Sequence, residues 1–214
     1  MLQFITNAVD SREIVNQVRA VIDGGCRWVQ LRMKDAKKAD VVSVAKELKP
    51  ICGERECILV IDDYVDIAKE LELDGVHLGK NDMNPIEARN ILGGKPIIGV
   101  TANSYEDIEC YSCVDIDYIG LGPYRFTTTK KNLSPILGID KYKNIMQRCA
   151  ENGIFIPVVA IGGIEYDDID AIMSAGVHGI AVSGALVKAD NMVEATCAMI
   201  DKLKAISVQR LETK

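Results

Sequence analysis

The stretch "VDIDYIGLG", residues 114–122, decides how the chain is to be read. It approaches through alternating aspartates and aliphatic residues and then runs apolar to a glycine. Two other stretches echo it: "LELDGVHLG" at 71–79 and "SAGVHGIAVSG" at 174–184. Each apolar run is strand-length and shows no polar face, as a strand buried on both sides should. Working outward from these three, five more such runs appear: "LQFITN" from Leu2, "WVQLR" from Trp28, "ILVID" from Ile58, "IIGVT" from Ile97 and "VVAIGG" from Val158. With those beginning at Gly75, Tyr118 and Gly179, the total is eight.

Between the runs the period becomes helical. Behind Asp10 or Ser11 as N-cap, Ile14, Val18, Val21 and Ile22 form one stripe, and Gly24-Gly25 stops it. "NPIEARNILGG" offers Asn84 as cap, Pro85 at the first helical position and a glycine stop. "EYDDIDAIMSAG" and "NMVEATCAMIDKLKAI" carry similar stripes. Strict alternation of strand and helix implies parallel strands joined by right-handed crossovers. Eight units predict an α/β fold, a single-domain (β/α)8 TIM barrel over residues 1–206, with 207–214 a frayed tail.

At 214 residues the chain fits one domain, and its net charge of −6 argues against general affinity for nucleic acid or anionic membrane. Any phosphate must therefore meet a local site. No membrane-length apolar stretch and no signal-peptide pattern is present, so a cytoplasmic location is expected. Seven cysteines in scattered apolar segments suit a reducing compartment. Cys110 and Cys113 form a C-x-x-C without a second ligand pair, which reads as one face of a helix. A homo-oligomer is compatible with the sequence.

A barrel directs attention to the C-terminal ends of its strands. Strand two ends in "QLRMKD": Gln30, Arg32 and Lys34 point one way, Leu31 and Met33 the other. Cations entering a lumen need anions there, whether ligand phosphates or lumenal carboxylates. Strand three ends in Asp62 and Asp63, and Asp82 follows strand four. With neighbouring strands about 5 Å apart, Asp63 and Asp82 can share a divalent cation such as Mg²⁺. Thr101 closes strand five, and "FTTTKK" follows strand six with Thr127, Thr129 and Lys130. "IGG" and "VSG" end strands seven and eight, and backbone N–H groups at a following helix N-terminus suit an anion. His77 reads as a hydrogen-bonded lumenal residue, and His178 as a surface one.

In order and spacing, "QLRMK", the "DD" after strand three, "DGVHLGKND", "IIGVT", "DYIGLGP" with "TTTKK", "IPVVAIGGI" and "GIAVSGA" make the chain resemble the thiamine phosphate synthases (thiamine-phosphate pyrophosphorylases) from Leu2 to about Ile206. The resemblance implies a transferase of thiamine biosynthesis. It would join 4-amino-2-methyl-5-hydroxymethylpyrimidine diphosphate to 5-(2-hydroxyethyl)-4-methylthiazole phosphate by a dissociative, Mg²⁺-assisted substitution that releases diphosphate. By position, Gln30, Leu31, Arg32, Met33, Lys34, Asp62, Thr101 and Lys130 would hold the pyrimidine diphosphate. Asp63 and Asp82 would bind Mg²⁺. Thr127, Thr128, Thr129, Gly163, Val182 and Ser183 would hold the thiazole phosphate, while Arg32, Lys34 and Lys130 would be catalytic.

The chain departs from that family's usual pattern at Asp62 (Asn), Lys80 (Gln), Thr101 (Ser) and Phe126 (Pro). Lys80 is expected to offset the charge of Asp62. Two alternatives stand beside the synthase: an isomerase like the thiazole tautomerases, and a non-catalytic phosphate-ligand binding or regulatory protein. The synthase reading makes Lys130 a neutraliser of the leaving diphosphate. Lys130→Ala is therefore expected to lower turnover by about 10²-fold or more, and a steady-state rate within twofold of the parent would remove that role.

Overall fold

The structure is a computed structural model that describes residues 1–8, 10–33, 35–126 and 135–212, with side chains described as far as residue 209. Eight parallel strands close into a barrel in sequence order. They are β1 (Leu2–Ile5), β2 (Trp28–Leu31), β3 (Ile58–Asp62), β4 (Gly75–Leu78), β5 (Ile97–Ala102), β6 (Tyr118–Leu121), β7 (Val158–Ile161) and β8 (Gly179–Val182). Every strand begins at the residue from which its apolar run was read.

The helices between them are α1 (Ser11–Asp23), α2 (Lys38–Gly53), α3 (Val65–Glu70), α4 (Pro85–Leu92), α5 (Tyr105–Tyr111), α6 (Gly138–Glu151), α7 (Ile169–Ser174), α8 (Gly184–Val187) and α9 (Met192–Glu212). Asp10 caps α1 by accepting a hydrogen bond from the Glu13 N–H at 2.9 Å. Asn84 caps α4 through the Ile86 N–H at 2.9 Å, with Pro85 at its first position. Gly24 ends α1 where α9 crosses closely: a Cβ there would lie 2.6 Å from Thr196 Cβ.

Successive residues of each strand serve two cores. Leu31, Ile61, Val76, Leu78, Ile98 and Ile119 face outward into the layer under the helices. Ile5, Trp28, Tyr118, Val159 and Ala181 fill the lumen. The lumen is therefore packed, and only its upper end is open for chemistry.

The echo between the three approaches has a physical cause. Each ends in a polar residue that accepts from a backbone N–H at the start of the preceding strand. Asp74, before β4, accepts from Leu59 of β3 at 2.7 Å. Asp117, before β6, accepts from Ile98 of β5 at 2.8 Å. His178, before β8, takes the Val158 N–H of β7 on Nδ1 at 3.1 Å. His178 is exposed, as expected, yet it also satisfies a strand end.

Two sequence expectations change. The segment after Ile206, expected to fray, continues α9 to Glu212. "SVQRLE" holds neither Gly nor Pro to stop a helix, and the Ser207 hydroxyl donates to Leu203 O at 2.9 Å. α5 stops at Tyr111, so the exposed Cys110 and Cys113 do not share a helix face.

One side chain ties the first strand to the mouth. Buried Thr6 donates through Oγ1 to Arg32 O at 2.9 Å and accepts from the Arg32 N–H at 2.8 Å. Thr6→Val keeps the shape and orphans both backbone groups. It is expected to cost about 1–3 kcal/mol in urea-denaturation stability, and an unchanged midpoint would show that water replaces the hydroxyl.

Candidate active site

The C-terminal ends of the strands surround a cavity of about 580 Å³. Gln30, Arg32, Asp62, Asp63, Asp82 and Thr101 line one side of it. Gly163, Val182 and Ser183 line the other. Lys34, Thr127, Thr128, Thr129 and Lys130 lie outside the described residues. Leu31 and Met33 pack in the outer core, so their side chains face the helices rather than the cavity.

β2 and β3 run in register, Gln30 beside Val60 and Leu31 beside Ile61, which brings Asp62 next to the residues that follow Gln30. The Gln30 amide donates to Asp62 Oδ1 at 2.6 Å, and Arg32 Nε lies 3.2 Å from Asp62 Oδ2. The pair is only about one-fifth exposed on each side, so Asp62 supplies the negative charge that a lumenal arginine needs. Gln30 Oε1 is left buried without a partner among the described residues.

Lys80 does not take part. Its Nζ lies 2.5 Å from Asp107 Oδ2 at the start of α5, so the expected compensation between Lys80 and Asp62 does not form. Asp62 is neutralised from its own side by Arg32, and Lys80 turns from the end of β4 toward α5.

Asp63 occupies the left-handed region, φ 69°, which an aspartate tolerates better than most residues. Its N–H donates to His77 O at 2.9 Å, which fixes the turn out of β3 against β4. Asp82 is held by the Gly79 N–H, 2.5 Å from its Oδ2, and a Cβ on Gly79 would come within 2.7 Å of that oxygen. The two carboxyl groups hydrogen-bond one another. Desolvation, that hydrogen bond and the charges of Asp62 and Asp82 push Asp63 up to about 8, against the opposing pull of Arg32. Two hard-oxygen donors side by side, one of them desolvated, form a donor set that suits a divalent cation.

The opposite wall is built from glycines and backbone. Gly162 and Gly163 have φ of 102° and 67°, and a Cβ on them would strike Pro123 at 2.7 Å and Arg125 Cγ at 2.6 Å. The Tyr124 and Arg125 N–H groups donate to Ile161 O and Gly162 O at 2.8 and 3.0 Å, which seats the root of the β6–α6 loop on the end of β7. Ser183 Oγ is buried without a partner among the described residues. Helices follow both strands, as expected: a 3₁₀ turn, Tyr166–Asp168, leads into α7 after β7, and α8, of four residues, follows β8. Any anion there relies on individual N–H groups and the Ser183 hydroxyl, because so short a helix sums little dipole.

Sequence reading missed Arg125, Asn103 and Lys188, which also line the cavity. Arg125 pairs with Asp168 at 2.6 Å. Its place just before "FTTTKK" was the available signal.

A closed parallel barrel with a charged cavity at the strand ends defines the class: a (β/α)8-barrel enzyme. Within that class the chain belongs to the thiamine monophosphate synthase family, whose profile matches residues 2–186. It is 53% identical over 195 residues to the thiamine-phosphate synthase of Bacteroides fragilis, covering 91% of this chain and 96% of that one. It is 48% identical over 205 residues to the thiamine-phosphate synthase of Bacteroides thetaiotaomicron, covering 96% and 98%. A solved thiamine phosphate pyrophosphorylase from Pyrococcus furiosus superposes with a TM-score of 0.83 at 30% identity, covering 96% of each chain.

The raised Asp63 makes a signed pH dependence. The folded protein holds that proton more tightly than an unfolded chain does. Its contribution to stability is therefore complete below the ordinary value of 3.8 and is lost as pH rises through about 8. Metal-free Asp63→Asn protein, whose amide cannot titrate, is expected to gain melting temperature relative to the parent between pH about 5 and pH about 9. A calorimetric difference that stays flat with pH would contradict the crowding of Asp63.

Proposed function

We propose that the protein joins 4-amino-2-methyl-5-hydroxymethylpyrimidine diphosphate to 5-(2-hydroxyethyl)-4-methylthiazole phosphate, forming thiamine phosphate and diphosphate. Membership of the family and the names of its close relatives support the reaction. The observation that carries the site is the contact between Asp63 and Asp82 beside Arg32 in one cavity. A volume near 580 Å³ suits two small ligands.

In the reaction the bond between the pyrimidine's methylene carbon and the diphosphate oxygen breaks, and its electron pair leaves with diphosphate. The aminopyrimidine ring carries the resulting positive charge, and the thiazole nitrogen closes the new C–N bond. That nitrogen has no proton to lose, so the site needs no general base. What the chain must supply is placement and charge. Arg32 faces the leaving group from β2, oriented by Asp62. Thr101 offers a hydroxyl from β5. Ser183 Oγ and the Gly163 backbone receive the thiazole phosphate. From the sequence, Lys34, Lys130 and Thr127 to Thr129 complete the two sets.

Asp63 and Asp82 are the residues that would hold Mg²⁺, and their crowded carboxyl oxygens fit it. When bound, the ion supplies positive charge to the diphosphate oxygens as negative charge accumulates there. An isomerase acting on the thiazole phosphate alone would have no use for this pair, which favours the synthase.

The test mixes both phosphorylated substrates with the protein and Mg²⁺ and follows thiamine phosphate and diphosphate by chromatography. Both products are expected in equal amounts, and excess chelator is expected to stop their formation. Rearranged thiazole phosphate without diphosphate would transfer the protein to the isomerase reading. Binding without turnover would transfer it to the regulatory one.

A further inference from the structure

Beneath the mouth runs a string of buried polar side chains for which the chemistry above has no role. Gln3, His77 and Tyr118 are each almost wholly enclosed in the lumen. Strand register sets His77 of β4 beside Gly99 of β5, and Gly99 beside Tyr118 of β6. Because Gly99 has no side chain, the two rings meet across the strand between them, with centroids 5.4 Å apart. A Cβ on Gly99 would lie 2.1 Å from Tyr118 Cζ, and one on Gly120 would lie 3.0 Å from His77 Cε1. Two strand glycines thus make room for one polar contact.

The polar contacts follow one another upward toward the mouth. Gln3 Nε2 donates to the Tyr118 hydroxyl oxygen at 3.2 Å. That hydroxyl lies 2.9 Å from His77 Nδ1, and His77 Nε2 lies 3.0 Å from Thr101 Oγ1. Burial pushes the Tyr118 phenol well above its ordinary pKa, so it keeps its proton. With Gln3 already donating to the phenol oxygen, the phenol's single proton goes to Nδ1. Nδ1 then accepts; with the ring neutral, its one proton sits on Nε2, and Nε2 donates to Thr101 Oγ1. The reverse arrangement would leave the phenol proton without an acceptor among the described residues. Thr101 lines the cavity, and its own hydroxyl hydrogen is left to turn into it.

We infer that Tyr118 and His77 are positioning residues that fix Thr101 as a hydrogen-bond donor to the diphosphate of the substrate. The identity of that anion rests on the function proposed above; the direction of the string does not. His77 fixes the polarity of Thr101, and Tyr118 fixes the tautomer of His77.

The chain has two histidines, so ¹⁵N-histidine labelling gives a simple spectrum, and a His178→Gln sample assigns it. Long-range ¹H–¹⁵N correlation is expected to show His77 with pyridine-type Nδ1 and pyrrole-type Nε2, and Tyr118→Phe is expected to erase that preference. Calorimetry with inorganic diphosphate and Mg²⁺ then reads the donor. Tyr118→Phe is expected to weaken binding by about fivefold in the parent and less than about twofold in a Thr101→Val background, because removing the hydroxyl removes what the string orients. If Tyr118→Phe does not fold, His77→Gln, which retains an amide N–H toward Thr101, is expected to bind more tightly than His77→Leu. A His77 proton on Nδ1, or equal losses in both backgrounds, would overturn the inference while leaving the synthase reading intact. A parent protein that binds no diphosphate would overturn both.

Discussion

The mouth of this barrel is organised around the interaction of Arg32 with Asp62. A guanidinium only about one-fifth exposed at the top of a packed lumen needs a negative partner, because little solvent reaches it. Asp62 answers that charge from the neighbouring strand and takes the Gln30 amide on its other oxygen. This arrangement explains how the chain accepts an aspartate where its family usually has asparagine. It also has an electrostatic consequence. Asp63 holds its proton more tightly mainly because it is desolvated and hydrogen-bonded to Asp82, and the neighbouring Asp62 carboxylate adds to this while Arg32 opposes it.

Much of the scaffold was legible in the sequence because parallel strands buried on both faces leave short apolar runs with abrupt ends. All eight strand starts could be read in this way, as could the cap at Asn84, the α1 cap as one of Asp10 and Ser11, and the inward alternation of Gln30 with Arg32. Asp63 and Asp82 follow adjacent strands, and both line the cavity. What stayed hidden depended on distances set by register between strands. Lys80 and Asp107 lie far apart in sequence and meet only because the end of β4 approaches α5. Nothing in the local pattern of β5 shows that Gly99 makes space for Tyr118.

The lumen shows how a packed barrel can carry polar groups. Trp28, Tyr118, Val159 and Ala181 form an apolar floor, and the tyrosine ring stacks edge-on against the tryptophan at 4.7 Å. From that floor the polar atoms of Gln3, Tyr118 and His77 satisfy each other in sequence. A polar string of this kind is tolerable only when every member has a partner. The glycines opposite the rings give the string its room.

The clamps at the strand starts have an implication for how such a barrel can be taken apart. Asp74, Asp117 and His178 each fasten an even-numbered strand to the odd-numbered strand before it, so β3 with β4, β5 with β6 and β7 with β8 behave as two-strand cassettes. Recombination between related barrels that cuts between cassettes would carry each clamp over whole. A crossover inside a cassette would separate an acceptor from the N–H it serves. For these three pairs the transferable unit is accordingly the strand pair with its joining helix.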